Sequence, residues 1–303
     1  MLADETLLIL GAGSSKTYNI PDGEKLKKLI IHLLKEDIDL RINLISSRVN
    51  ESDIDRFLSD IETCNLKSID DFINKSDNYI IGKILICYVL IKSEIQSDVN
   101  MTEENWLSEF WYILTRNISR NNFTRVFNKL KIITFNYDRT FEWFLFKALV
   151  GTFKLNVQEA YGIMHHLPIL HVYGKLGSLP WEKSNLKRGL DENVASFSDI
   201  ISISNAIRTI GETKLDDHLQ SLIYDFINYS NSVYFLGFGF HESNLNILNL
   251  TKSINPISKI YGTAYSLDRF QKNTINIYNN GILKKLLPNN YTVYQYIKEI
   301  APF

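Results

Sequence analysis

The chain has 303 residues, of which 45% are apolar, and this is enough to build one large domain with a substantial core. Its net charge of −1 and its lack of a Lys/Arg cluster argue against a nucleic-acid partner. Acids precede the first apolar run where a signal peptide would have basic residues, and the apolar stretches are too short to span a bilayer. We therefore expect a cytoplasmic protein without membrane contact.

The cysteine content argues against a structural metal. Only Cys64 and Cys87 are present, and they do not form a Cys-x-x-Cys pair. A zinc module with four cysteines is thereby excluded, and both residues are typical of reduced thiols in a cytosolic protein. We predict no metal site.

The first informative stretch is a buried strand, Leu7–Leu10, that ends in a glycine turn. The turn consists of Gly11, Ala12, Gly13, Ser14 and Ser15. Free peptide N–H groups, the start of a following helix and the serine hydroxyls would together favour a phosphate. The dinucleotide fingerprint is incomplete, because Lys16 stands where its third glycine is expected. A tight strand-to-helix turn that binds nothing is the alternative.

A long helical segment follows this turn. Leu26, Leu29, Ile30 and Leu33 recur at the spacing of one helix face, and amphipathic or apolar helices are predicted from there to Leu130 without a convincing strand. We interpret residues 37–130 as a helical insertion within a single domain, 1–303. The exposed faces of its helices are a candidate assembly surface, although ordinary core packing explains its apolar residues as well.

The second informative stretch is the strand that begins at Lys131. Thr134, Asn136 and Asp138 surround its carboxyl end, which is the edge where parallel sheets bind ligands. A turn or helix cap formed by Asp138 would explain the same residues without a ligand.

The third stretch, from Pro168, predicts another strand and contains His171, Tyr173 and Gly174. Because strand side chains alternate, His171 and Tyr173 are expected on the same face. The polar residues 182–205 are predicted to form a loop that acts as a lid.

The last part of the chain predicts a strand from Ser232 that ends in a turn with Gly237 and Gly239, then strands at 259–266 and 291–296 around a helix at 267–278. Strands that alternate with helices favour an α/β fold. We predict a doubly wound parallel (Rossmann-like) sheet with the helical insertion over a nucleotide cleft.

These motifs, in this order, resemble the sirtuin superfamily, and in particular its zinc-free bacterial NAD hydrolases. The resemblance rests on Gly-Ala-Gly-x-Ser followed by Ile20-Pro21-Asp22, on Thr-x-Asn-x-Asp at 134–138, and on the later glycine turn. It implies that NAD is bound by residues of these motifs, namely Gly11, Ala12, Gly13, Ser14, Ser15, Pro21, Asp22, Thr134, Gly174, Gly237 and Gly239.

The resemblance also implies catalytic roles. Asn136 would contact the nicotinamide ribose and position a water, and Asp138 would bind the carboxamide. The family places its catalytic histidine directly before a glycine, whereas this chain has Tyr173 there and His171 two positions earlier. We assign the role of general base to His171.

The expected function is hydrolysis of NAD⁺ to nicotinamide and ADP-ribose by a gated effector of bacterial antiphage defence. Such effectors work as homo-oligomers or under a regulatory partner protein. The alternatives are a module that senses NAD or a related nucleotide without turnover, and a protein deacylase. The deacylase is disfavoured because this chain lacks the cysteines of a zinc module.

Overall fold

The computed structural model describes residues 2, 4–76, 79–96, 104–120, 122, 124–184, 188, 196–209, 212, 215–265, 267–278 and 290–303. Its strands form one sheet and are β1 (Thr6–Leu10), β2 (Leu130–Thr134), β3 (Ile169–His171), β4 (Ser232–Leu236) and β5 (Lys259–Gly262). All of their pairings are parallel, and the order across the sheet is β3-β2-β1-β4-β5. The predicted α/β fold with a Rossmann-like doubly wound sheet is confirmed.

Helices connect the strands. Those before β2 are α1 (Ala12–Ser15), a 3-10 turn (Lys16–Tyr18), α2 (Gly23–Glu36), α3 (Ile38–Ser46), α4 (Glu51–Thr63), α5 (Ile69–Ile73), α6 (Tyr79–Gln96), α7 (Trp106–Thr115) and α8 (Thr124–Phe127). Those after β2 are α9 (Thr140–Phe153), α10 (Val157–His166), α11 (Phe197–Ser204), α12 (Asp217–Asn228), α13 (Glu242–Leu248), α14 (Leu250–Ser253), α15 (Arg269–Tyr278) and α16 (Val293–Glu299). Among the described residues between β1 and β2 there is no strand, as the helical periodicity predicted.

The central strand β1 is covered on both faces. Leu8 and Leu10 point into one hydrophobic core, which includes residues of α2, α6, α7 and α9, while Leu7 and Ile9 point into a second core with residues of α12 and α13. The order of the strands reverses between β1 and β4, since the chain crosses from β1 to β2 on one side and later to β4 on the other. In such sheets ligands bind beside the carboxyl ends of the strands at this switch point.

The end of β1 is fixed relative to both neighbours by the register. Leu10 lies opposite Thr134 of β2 and opposite Leu236 of β4. The glycine turn after β1 is therefore placed between the polar residues that follow β2 and the glycine turn that follows β4.

Two predicted segments are corrected by the structure. Within the supposed loop at 182–205, residues 197–204 form α11, because Ser196 and Asp199 make a capping box and Ile200 and Ile203 pack inward. The supposed last strand is helix α16, which begins with a capping box of Thr292 and Gln295. Its buried residues recur at helical spacing, but a short apolar run of this kind does not distinguish helix from strand.

Candidate active site

The glycine turns after β1 and β4 pack against each other through their backbones. The N–H of Gly11 donates to the carbonyl oxygen of Leu236 at 3.1 Å, and the N–H of Gly13 donates to that of Gly237 at 2.9 Å. A Cβ on Gly11 would lie 2.7 Å from the Gly237 oxygen, and one on Gly237 would lie 2.1 Å from the Ser14 nitrogen. These positions therefore require glycine whether or not a ligand is bound.

The same contact changes the expected role of the turn. The N–H of Ser14 also has a partner, since it donates to the carbonyl oxygen of Gly11 at 2.8 Å. Three of the N–H groups that were expected to bind a phosphate therefore already donate to backbone carbonyl oxygens of the protein. Ala12 and Gly13 lie on the exposed side of the turn.

A small buried cavity lies where β1 and β2 end. It is lined by five residues that the sequence singled out, namely Ser14, Ser15, Thr134, Asn136 and Asp138. The Asn136 amide nitrogen donates to the Gly11 carbonyl oxygen at 3.1 Å and to the Ser15 hydroxyl at 3.1 Å. The Ser15 hydroxyl in turn donates to Asp138 Oδ1 at 3.1 Å. The structure therefore joins the two motifs in one hydrogen-bond network.

Asp138 is held in a desolvated position on this wall. Burial raises the pKa of Asp138 above its ordinary value, against the opposing effect of hydrogen bonds from Thr140 and Ser15. One of these bonds comes from the Thr140 backbone N–H, which donates to Asp138 Oδ1 at 3.2 Å. A carboxyl group in such surroundings is suited to hydrogen bonding with a polar, uncharged ligand group.

His171 lies beside this cavity but does not line it. Its Nδ1 is 3.1 Å from the backbone oxygen of Asn136, and its Nε2 is 2.8 Å from Glu142 Oε1. Both partners are acceptors, so each ring nitrogen must carry a proton for both hydrogen bonds to form. In this arrangement neither nitrogen is available to remove a proton from a substrate.

Glu142 in α9 lines the cavity instead, and it is one of the residues that the sequence did not single out. Only 3% of the residue is exposed, and Arg139, which is 1% exposed, donates from Nε to its Oε1 at 2.7 Å. Burial alone would raise the pKa of Glu142, but the charges of Arg139 and His171 hold the pKa well below its ordinary value. A lone acid in the apolar run from Phe141 to Phe146 was the available signal.

Arg139 connects this site to the chain that follows β3. Its Nη1 donates to the Gly177 carbonyl oxygen at 2.6 Å, and its Nη2 donates to Glu182 Oε1 at 2.8 Å. Its backbone N–H donates to Glu94 of α6 at 2.5 Å. Glu142 is consequently anchored through Arg139 to two separate parts of the fold, the chain that follows β3 and helix α6.

Trp106 closes the cavity from the side of α7. Its Nε1 donates to the Ser14 carbonyl oxygen at 2.7 Å, and its ring stacks on Phe141 at a centroid distance of 6.1 Å. Next to it, the Tyr18 hydroxyl donates to Asn105 Oδ1 at 2.8 Å. The remaining space holds about one water molecule. A larger ligand requires these side chains to move.

Other residues from the sequence prediction do not line this cavity. They are Gly11, Ala12, Gly13, Pro21, Asp22, Gly174, Gly237 and Gly239. Asp22 caps α2, where it accepts from the Lys25 N–H at 3.0 Å, and it pairs with Lys16 at 2.8 Å. Their assignment to NAD binding stays a prediction.

The expectation that His171 and Tyr173 share a face is wrong. Strand β3 ends at His171 and the chain turns, so that Tyr173 packs on Phe135 of the opposite core at a centroid distance of 5.7 Å. Its hydroxyl donates to Asn244 Oδ1 at 2.5 Å. The alternation of strand side chains applies only while the strand continues.

No family model matches the chain, and no curated protein matches it. Within the described part of the chain, no helix is both long and apolar enough to cross a membrane. The same residues contain no group of three or more His, Cys, Asp or Glu side chains that could hold a metal ion.

Proposed function

We propose that this protein hydrolyses NAD⁺ to nicotinamide and ADP-ribose. One observation carries the proposal: Asn136 and Asp138, which follow β2, share a buried cavity and a hydrogen-bond network with Ser14 and Ser15, which follow β1. The cavity lies at the carboxyl edge of a doubly wound parallel sheet, the edge at which such folds bind nucleotides.

The chemistry requires little from a nucleophile. Departure of nicotinamide removes the positive charge of its ring, and the electron pair of the C1′–N bond remains on the nicotinamide nitrogen. The ribose then passes through an oxocarbenium-like state that water captures. In this scheme Asp138 binds the carboxamide and Asn136 orients the water or a ribose hydroxyl. His171, the expected general base, can take that role only if it gives up one of its two hydrogen bonds.

The closed cavity supports the proposal that the protein is inactive until it is triggered. Trp106 fills the space beside Asn136 and Asp138, so NAD⁺ must enter a rearranged site. An ungated NAD hydrolase would deplete its host, and we propose that assembly into a homo-oligomer or a regulatory partner protein opens the site. From the resemblance to zinc-free bacterial NAD hydrolases, we also propose that the protein acts in the cytoplasm in bacterial antiphage defence by NAD depletion.

A second candidate function is a module that senses NAD without turnover. The observation that favours it is the pair of hydrogen bonds that occupies both nitrogens of His171. A site that binds the dinucleotide but has no free base would report NAD levels to a partner.

The test is NAD⁺ consumption by the purified protein, with products separated by chromatography, alone and with lysate from phage-infected cells. We would compare the wild type with Asn136→Ala, using His166→Ala on the surface of α10 as the matched control. The hydrolase would be supported if the wild type and the control each release one nicotinamide for each ADP-ribose, while Asn136→Ala releases neither product. NAD⁺ binding without consumption would favour the sensor, and absence of both would refute the two proposals together.

A further inference from the structure

The two carboxylate oxygens of Glu142 have different environments. Oε1 accepts hydrogen bonds from Arg139 Nε at 2.7 Å and from His171 Nε2 at 2.8 Å. No described residue donates to Oε2, although the side chain is almost fully buried and lines the cavity. Oε2 is not among the fully buried side-chain atoms that lack a partner in the described part of the chain, so it is open to the cavity, where a bound molecule can donate a hydrogen bond to it.

A second oxygen lies on the same wall. The Thr140 hydroxyl is buried and lines the cavity, makes no hydrogen bond of ordinary geometry to a described residue, and lies close enough to Asp138 to lower the pKa of that carboxyl group. Thr140 and Glu142 belong to the first turn of α9, and the backbone N–H of Thr140 is already used by Asp138. The wall therefore presents one charged acceptor and one hydroxyl to whatever occupies the cavity.

We infer that Glu142 is a further catalytic residue of this site, whose unpartnered oxygen accepts a hydrogen bond from a ribose hydroxyl of NAD⁺, and that Arg139 and His171 position it. The inference rests on the proposed function and deepens it. A ribose diol matches the wall, because one hydroxyl donates to a carboxylate while its neighbour bonds to the Thr140 hydroxyl.

The carboxylate would act through charge rather than by proton transfer. The C1′–N bond breaks and its electron pair stays on nicotinamide, a water oxygen bonds to C1′, and the water's proton leaves to the solvent. As C1′ becomes positive, the hydrogen bond from the ribose hydroxyl to Glu142 strengthens, which lowers the barrier. The low pKa of Glu142 suits this role, since the group remains ionised throughout.

This assignment makes His171 a positioning residue. In a serine-protease triad the carboxylate lies behind the histidine, whereas here the carboxylate lines the cavity and the histidine lies behind it. His171 also bonds to the backbone oxygen of Asn136, so its ring orients both Glu142 and Asn136.

Three variants with matched controls test the inference through kcat and KM for NAD⁺. Glu142→Gln is compared with Glu182→Gln, which removes a carboxylate from the same Arg139 but does not line the cavity. We expect kcat about 10²-fold lower for the former and within about 3-fold of wild type for the latter. We expect Thr140→Val to lower kcat about tenfold, and Thr140→Ser, which keeps the hydroxyl, to retain most of the wild-type kcat.

The third comparison tests whether His171 acts as a positioning residue or as a general base. His171→Gln retains a side-chain donor for Glu142 and should keep far more activity than His171→Ala, whereas a general base would be lost equally in both. NAD⁺ analogues that lack one hydroxyl of the nicotinamide ribose provide a measurement on the unaltered protein. Removal of the contacted hydroxyl should lower wild-type kcat about 10²-fold and cause little further loss in Glu142→Gln.

The outcomes distinguish this inference from the function on which it rests. If the wild type consumes NAD⁺ while Glu142→Gln matches Glu182→Gln, or if both deoxy analogues react as fast as NAD⁺, the inference is overturned and the hydrolase stands. If the wild type neither binds nor consumes NAD⁺ with or without phage lysate, both are overturned.

Discussion

The carbonyl oxygen of Gly237 accepts a hydrogen bond of 2.9 Å from the N–H of Gly13, so the turns that follow β4 and β1 are joined backbone to backbone. The Gly237 N–H is held from the other side by the Thr263 hydroxyl at 3.0 Å. The switch point of the sheet is thus closed by the protein's own peptide groups. Glycines are needed at this point because the two backbones approach each other closely.

Substitution of Gly237 by alanine should destabilise the fold strongly. Its φ of +60° disfavours any side chain, and a Cβ would lie 2.1 Å from the Ser14 nitrogen. We expect a loss of at least about 2 kcal/mol in the free energy of unfolding, measured by denaturant titration. Gly151→Ala in α9, where a Cβ meets no atom within 4 Å, should instead be neutral or stabilising. Equal stability of the two variants would contradict the interpretation.

Arg139 should be far more important for stability than exposed cations. Arg139→Met leaves Glu142 buried without its main counter-charge, and we expect a loss of about 3–5 kcal/mol. Lys28→Met breaks an exposed ion pair with Glu24 in α2 and should change little. Urea denaturation of both variants measures the difference, and a small effect at Arg139 would mean that water or another cation compensates Glu142.

Asp138→Asn should become relatively more stable as the pH rises. The pKa of Asp138 is raised by burial, so ionising it costs stability progressively as the pH rises from the ordinary aspartate range through its folded pKa. Asparagine keeps an acceptor for Ser15 without a charge. We expect the free-energy difference between variant and wild type to favour the variant more at about pH 8 than at about pH 4. Turnover of NAD⁺ should fall in the same variant.

The control for this prediction is Asp22→Asn, whose stability relative to the wild type should change with pH in the opposite direction. The pKa of Asp22 is lowered, because its bonds to Lys16 and to the start of α2 outweigh a partial burial that acts in the other direction. Asp22 therefore contributes stability above its unfolded pKa, and this contribution is lost as the pH falls. Asp22→Asn should cost more stability at high pH than in acid. Parallel pH profiles for the two variants would contradict at least one of the two pKa shifts.

Trp106→Phe should loosen the closed cavity. It removes the bond from Nε1 to the Ser14 oxygen, at a cost of about 1–2 kcal/mol in stability. Trp111→Phe removes a comparable bond to Thr152 at 2.9 Å, away from the cavity, and should cost about as much. Only Trp106→Phe should raise basal NAD⁺ consumption, by up to about tenfold, because it shifts the protein towards an open state. Equal basal rates in both variants would exclude Trp106 as the closing group.

The parallel sheet could be predicted because its strands are continuous apolar runs that end in glycine or Asx turns. Leu7–Leu10 and the strand from Lys131 are of this kind, and the ends of such strands must meet at one edge. This geometry brought Ser15 and Asp138 within hydrogen-bond distance, a contact that the sequence analysis did not predict.

The rest depends on contacts that are not local. Tyr173 leaves the face of His171 because β3 ends early, and short apolar segments such as 291–296 fit a strand or a helix equally well. In sequence Glu142 stands out only as an acid within an apolar run, and its place on the cavity wall follows from the fold and from its partners Arg139 and His171. Trp106 reaches the Ser14 oxygen from a different helix, which no spacing rule predicts.

The network that joins Asn136 to the Gly11 oxygen spans 125 positions of the chain. Strand β1 has its partners in β2 and β4, so it has no neighbouring strand until a much later part of the chain is available. Contacts of this sequence separation make folding slow. All residues that line the cavity lie between Leu10 and Ile169, so the cavity cannot be complete before β3 has formed beside β2. A growing chain therefore carries Ser14 and Ser15 long before the residues that complete the cavity with them.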